Sequence, residues 1–379
     1  MAKRANGEGS MRKRSDGRWE ARYYSPIDNK QHSIYGKTQK AVKEKLNAIQ
    51  IDFDSYRDLR GEDMRMKDWL NVWLEKYNGN IKQGSYSVYK SAIRSRLCPH
   101  IGHLRMRELT TETVQDMYLS MLQDGVTAKT IKNVHGVLHK SLEQALKLQY
   151  IRKNVSDACV LPRIEKREIQ PLDDDQIREF LIQIKGDLCE RIFHVALFTG
   201  MRQSEILGLT WDAIDFNNGI IRINKQLLRS RDSSGAYFGS PKNGKERIVY
   251  MPHHVKDILS AQKDEQDLFR MAAGDKWVYD IAPWKNMVFT DEIGNPIKHR
   301  TVHNHYKSIV RQMGLDYSRF HDLRHSFAVI SLENGDDIKT VQEALGHHTA
   351  SFTLQQYAHA TYNMRKNSAG RMDKFIENL

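Results

Sequence analysis

The chain has 379 residues, with 59 Lys plus Arg against 47 Asp plus Glu and hence a net charge of +12. Hydrophobic residues make up 40%, enough for sizeable cores, and at roughly 100–200 residues per domain the length suits two or three domains. A mean hydropathy of −0.65 and the lack of any apolar run of about 18 residues argue against a membrane-spanning helix. The basic N-terminal stretch has no apolar core of the secretory kind and reads as a solvated arm, with a nuclear-localisation patch as the alternative. Three cysteines, Cys98, Cys159 and Cys189, are too few and too scattered for a disulfide framework or a CxxC zinc site, so a reducing, cytoplasmic setting is expected. The positive surplus points to a polyanion. Nucleic acid comes first, and no amphipathic anchor or lipidation motif speaks for a membrane surface.

Residues 1–60 read as a small basic module, with 14 Lys/Arg against 8 Asp/Glu. Arg18 to Tyr24 alternates like a strand, Pro26 to Lys30 is a turn signal, and His32 to Tyr35 reads as the partner strand. A helix follows, with Ala41, Leu46, Ile49 and Phe53 at helical spacing. A ribbon carrying Arg18 and Arg22 is suited to a DNA groove; a plain adaptor is the alternative. Residues 65–161 read as a helical domain. Its helices run from Met66 to Tyr77, with Trp69, Val72 and Trp73 on a stripe; from Tyr86 to Leu97; from Thr110 onward; and from Ala128 to Leu148. Lys90, Arg94, Lys129 and Lys132 are candidate phosphate contacts, or simply a solvated face. Residues 162–171 form a basic linker. From 172 to 379 the pattern is mixed. Helices are expected near 173–185 and 188–198. Strands are expected at Gly219–Asn224, Ala236–Phe238 and Arg247–Met251, the last two joined as a hairpin through Pro241 to Lys245, and mostly helix is expected after 300. The fold class expected is thus multidomain, mainly α with small β: an α+β module, an all-α domain and a mixed α/β domain.

Four clusters in the last 210 residues carry chemistry. Gly200 stands before Arg202 and Glu205, which are three apart and so share a helix face. Lys242 occupies the expected hairpin tip, where a lysine is ordinarily just exposed. His321, Arg324 and His325 place two imidazoles and a guanidinium on one helical face. The ligand count fails for zinc, whereas Arg suits a phosphate. Gly346 and His347 are followed ten residues later by Tyr357, which alone would be read as a packing aromatic. Together these residues form a kit for phosphoryl transfer without paired carboxylates to hold Mg²⁺. Arginines stabilise the transition state, a hydroxyl is the nucleophile, and Lys and His handle protons. No GxxxxGK[ST], HExxH or GxSxG is present.

The order TG-x-R-x-S-E, Lys242, H-x-L-R-H, L-G-H and Y-x-H resembles the tyrosine recombinases of the phage-integrase family, over about 171–365. The N-terminal module resembles the arm-binding domain of integrases from temperate phages and conjugative elements, and the helical region fits the family's core-binding domain. The resemblance implies Tyr357 as nucleophile, forming a 3′-phosphotyrosyl link. It implies Arg202 and Arg324 on the non-bridging oxygens, Lys242 as general acid, His321 as acid/base and His347 on the phosphate. Glu205 would buttress Arg202, and His325 would be structural. It also implies no cofactor or metal, a Holliday-junction intermediate, a C-shaped clamp on double-stranded DNA with core-type and arm-type sites, and a homotetramer. An excisionase and a host DNA-bending protein are expected partners. Met364 to Leu379 reads as a short helix contacting a neighbouring protomer, or packing within its own chain. A topoisomerase-like enzyme, a DNA-binding protein that has lost catalysis and a metal-dependent nuclease are the competing readings.

Overall fold

The computed structural model describes residues 10–25, 30–57, 61–79, 81–165, 170–229, 235–242, 244–278, 284–346 and 376–377. The chain forms two compact units, residues 1–165 and 166–379. Among the described residues no helix is long and apolar enough to cross a membrane.

The first unit opens with an antiparallel sheet of β1 (Ser10–Lys13), β2 (Trp19–Ser25) and β3 (Lys30–Gly36) in that order. The two expected strands pair from Trp19↔Gly36 to Ser25↔Lys30. β1 is an addition: SMRK has a single apolar residue, so alternation gave it no signal. Gly17, at φ 80, allows the turn that returns β1 to β2. Helix α1 (Gln39–Arg57) covers the sheet through Val42 and Leu46, which pack with Ala21 among Met11, Trp19, Tyr23 and Ile34. Val42 is fully buried and the expected Ala41 only half so, while the Phe53 side chain lies outside the described residues.

The helical region holds α2 (Met66–Lys76), α3 (Gln83–Ala92), α4 (Cys98–Ile101), α5 (Thr111–Gln123) and α6 (Ala128–Lys147). The helix expected over 86–97 starts earlier and passes through a wider turn at Ile93–Leu97. Thr110 and Thr127 cap α5 and α6 by accepting from the backbone N–H of Thr113 and Thr130. On α6, Ile131, Val134, Leu138, Leu142 and Ala145 form the buried stripe. Trp69 is buried against it and donates to the Ser141 carbonyl at 3.2 Å.

The second unit begins with α7 (Asp174–Gln183), α8 (Glu190–Thr199) and α9 (Gln203–Leu207). Strands β4 (Ile214–Asp215), β5 (Ile220–Ile223), β6 (Gln226–Arg229), β7 (Ala236–Gly239) and β8 (Arg247–Tyr250) follow. The expected hairpin does not form. β8 pairs with β5 in a β4-β5-β8 sheet, and β7 pairs with β6 in a separate ribbon. Burial decides the pairing: Val249 sits opposite Ile221, and both are buried on one face. Helix α10 (His253–Ala273), which the sequence reading passed over, is anchored by buried Gln266. That side chain accepts from Trp211 Nε1 at 2.7 Å and donates to the Met287 carbonyl. Then come α11 (His299–Gln312), α12 (Phe320–Glu333) and α13 (Ile338–Leu345). The molecule is mainly α with small β, as the sequence predicts.

Candidate active site

The site is built on two helix ends. Helix α8 stops at Gly200, which adopts a left-handed conformation at φ 63. A Cβ there would lie 2.4 Å from Phe327 and 2.8 Å from Leu345, so only glycine lets α8 approach α12 and α13 this closely. Two residues on, Arg202 caps α9. The Glu205 carboxylate accepts from the Arg202 backbone N–H at 2.9 Å and from its Nη1 at 2.8 Å. The pair expected on one helix face is therefore a helix-start clasp, with Glu205 fully buried and Arg202 half-buried. Ser204 and Gln203 brace α9 against the start of α11, at the His299 ring and carbonyl.

A second guanidinium closes on Glu205. Arg247 Nη1 and Nη2 donate to Oε1 and Oε2 at 2.8 and 2.6 Å, and its Nε donates to the Ala344 carbonyl at 2.9 Å. Burial alone would raise the Glu205 pKa, but the hydrogen bonds and charge of Arg247, then the charge of Arg202, hold it down at about 2. Sequence reasoning missed Arg247. The available signal was strand alternation, which puts Arg247 on the buried face of Val249 while Ile248 and Tyr250 face solvent. An inward arginine calls for a carboxylate.

Helix α12 supplies the rest. Arg324 is buried at 2% exposure, and its Nη1 donates to the Gly200 carbonyl at 2.5 Å while Nη2 bonds the Leu345 carbonyl. Helix α13 ends at Gly346, at φ 61, and the Gly346 carbonyl lies 3.4 Å from Arg202 Nη2. Three successive carbonyls, of residues 344, 345 and 346, thus each receive a different arginine at the negative end of one helix. His321 and His325 stand edge to face at 5.1 Å between ring centres. An edge of His321 meets solvent, yet its packed surroundings, then His325, Arg324 and Arg202, push it down to about 4. Burial first, and then Arg324 and Arg319 against the opposing pull of Asp322, takes buried His325 to about 4 as well. Both imidazoles are neutral at pH 7.

The structure brings together Arg202, Glu205, His321, Arg324 and His325, and adds Arg247. Lys242 is exposed in the link between β7 and β8, not on a hairpin tip. The link starts beside α9: the Gln226 side chain on β6 donates to the Ser240 carbonyl at 2.7 Å, and Gly208 lies against the β6 backbone. His347, Tyr357 and nearly all of 364–379 lie outside the described residues. Of the candidate DNA contacts, Arg18 is paired with Asp16 and Arg22 with Glu20, whereas Lys90, Arg94 and Lys129 are exposed and Lys132 is half-buried. Lys90 and Arg94 are four apart, and α6 reaches α3 through Lys140 Nζ on the Tyr89 hydroxyl at 2.8 Å. Among the described residues two triplets have metal-ligating chemistry, Asp187–Cys189–His305 and His139–Glu143–Asp157; neither includes an arginine-cluster residue.

Chemically, three guanidiniums bond the carbonyls that end α13, and the neutral imidazole of His321 stands on α12 three residues before one of them, Arg324. Each guanidinium carries five N–H groups, enough to serve its carbonyl or carboxylate and an anion together. Such a site receives a tetrahedral oxyanion. A sequence model described as "Phage integrase family" matches residues 170–364, and one for the "Phage integrase, N-terminal SAM-like domain" matches 66–122. The chain belongs to the phage integrase family, and it is a tyrosine-type site-specific recombinase. It is 28% identical to a tyrosine recombinase XerC-like protein of Caldanaerobacter subterraneus subsp. tengcongensis, over 90% of this chain and 92% of that one. Its fold is similar to that of the Tn1549 transposon integrase in complex with transposon right end DNA (TM-score 0.69, 23% identity, 82% of this chain and 100% of the other). It is also similar to that of a lambda integrase tetramer bound to a Holliday junction (TM-score 0.59, 17% identity, 90% and 96%).

Proposed function

We propose that this recombinase is the integrase of a mobile element, cutting and rejoining double-stranded DNA for integration and excision. The observation that carries the proposal is the convergence of Arg202 and Arg324 at the turn ending α13, one residue before His347 and eleven before Tyr357, with His321 three residues before Arg324 on α12. Tyr357 attacks the scissile phosphate. Its oxygen bonds phosphorus, the bond to the 5′-oxygen breaks, and Lys242 gives that oxygen a proton. Arg202 and Arg324 hold the non-bridging oxygens, where charge builds in the transition state. Neutral His321 accepts the tyrosine proton, and His347 hydrogen-bonds the phosphate. Guanidinium and ammonium groups supply the positive charge, so the step runs without a metal or nucleotide.

The bond energy stays in the 3′-phosphotyrosine, and the 5′-hydroxyl of a partner strand reverses the step. Two rounds pass through a Holliday junction in a homotetramer; the lambda integrase tetramer on such a junction supports this assembly. In this reading residues 1–60 bind arm-type sites, 65–161 and 172–379 clamp the core-type site through the 162–171 linker, and Met364 to Leu379 contacts the neighbouring protomer. An excisionase and a host bending protein set direction and bend the DNA in the bacterial cytoplasm. The test is incubation with a nicked attachment-site duplex in EDTA. A covalent protein–DNA adduct is expected, absent in Tyr357→Phe. No adduct, or cleavage only with Mg²⁺, would sink the reading.

A further inference from the structure

We propose that Arg247 is a positioning residue that holds Arg202 and the end of α13 in one rigid unit and keeps that unit positively charged; the inference rests on the recombinase reading above. Arg247 takes both oxygens of buried Glu205 and the Ala344 carbonyl with one planar fork, so it joins α9 to α13 from the first residue of β8. The packing is close as well: a Cβ on Gly346 would meet Arg247 Cδ at 2.9 Å. The turn that leads into His347 is therefore shaped around this side chain.

Charge makes the second argument. Arg202, Arg247 and Glu205 carry a net single positive charge. Without Arg247, the buried carboxylate faces Arg202 alone. The pair is then neutral, so Arg202, already bonded to Glu205, meets a phosphate with its charge cancelled by the carboxylate. Arg247 has its donors on Glu205 and Ala344, so it acts through Arg202 and the α13 turn rather than on the phosphate itself. A lysine at this position keeps the charge but lacks the fork, and restores only part of the arrangement.

The test compares the full chain with Arg247→Gln, Arg247→Lys and the double variant Glu205→Gln/Arg247→Gln on a nicked attachment-site duplex, and on the same duplex with a neutral methylphosphonate at the scissile position. On the phosphate duplex Arg247→Gln is expected to slow adduct formation about 100-fold, with DNA affinity within about threefold of wild type. On the methylphosphonate the deficit is expected to shrink to about tenfold or less, because less charge must be met by Arg202. The double variant is expected to be faster than Arg247→Gln, since no carboxylate remains to cancel the charge of Arg202, and Arg247→Lys to fall between Gln and wild type. The proposal is overturned by an Arg247→Gln rate equal to wild type, by an equal loss on both duplexes, or by a double variant no faster than the single. If Arg247→Gln does not fold, Arg247→Lys carries the phosphate and methylphosphonate comparison under the same criteria. Wild-type protein that forms no adduct overturns the recombinase reading itself.

Discussion

His321 and His325, one turn apart on α12, differ from ordinary histidines in when they take up a proton. Unfolded, each protonates near 6.5; in the fold, burial of His325 and the packed surroundings of the solvent-edged His321, together with the nearby arginines, hold both near 4. Between those values the unfolded chain binds more protons, so stability of the catalytic unit falls as pH drops from about 6.5 to about 4. Glu205 acts in the same direction over a lower window, since its stabilisation is present above its ordinary 4.5 and lost as pH falls toward 2. Hydrogen-exchange protection of α12, corrected for intrinsic rates, should be weaker at pH 5 than at pH 7, and His321→Asn/His325→Asn should flatten the difference. Equal protection at both pH values in the wild type would refute this. Arg202, Glu205, His321 and Arg324 were legible because they sit at short spacings within motifs. Arg247 was not, because its partners lie 42 and 97 residues away and its own tetrapeptide reads as a plain strand.

At the scale of elements, the helices of residues 66–147 were readable from apolar stripes and caps, since burial of one face is a local property of the sequence. Strand pairing was not. Residues 236–250 contain two strands and a turn signal, but each strand finds its partner upstream. That choice rests on long-range burial, which no window of sequence contains. Gly200 shows how much one helix end bears. An alanine there incurs about 1–2 kcal/mol for the left-handed backbone, with the Phe327 overlap in addition. Because the Gly200 carbonyl holds Arg324, Gly200→Ala is expected to lower the thermal midpoint of the catalytic unit and to slow adduct formation together. A lower midpoint with an unchanged adduct rate would show that Arg324 does not depend on this turn.

For the whole molecule, the +12 surplus is unevenly spread, with a surplus of six in the first 60 residues. In that module Arg12 and Arg22 both bond Glu20, and Arg18 bonds Asp16. Part of the basic surface is thus already matched by carboxylates, and Arg18 and Arg22 are shared with the fold's own ion pairs. Deleting residues 1–60 is expected to abolish integration in a two-site assay while leaving the covalent adduct at a core-type duplex. Undiminished integration would remove the arm-binding role. Full-length protein should also show a steeper loss of DNA affinity with salt than the truncated chain, because it engages more phosphates.

Lys242 lies on a link between two separately bonded sheets, so the length of that link is not tied to a strand register. In a hairpin, adding one residue to a strand slips the register and turns every side chain to the opposite face. A link between ladders has no register to lose, so residues can be added or removed there with both sheets unchanged. The arginines stand at a helix start, within a helix and on a strand, whose spacing is fixed by packing. The proposed proton donor instead stands on a tether that can lengthen or shorten without unpairing either sheet.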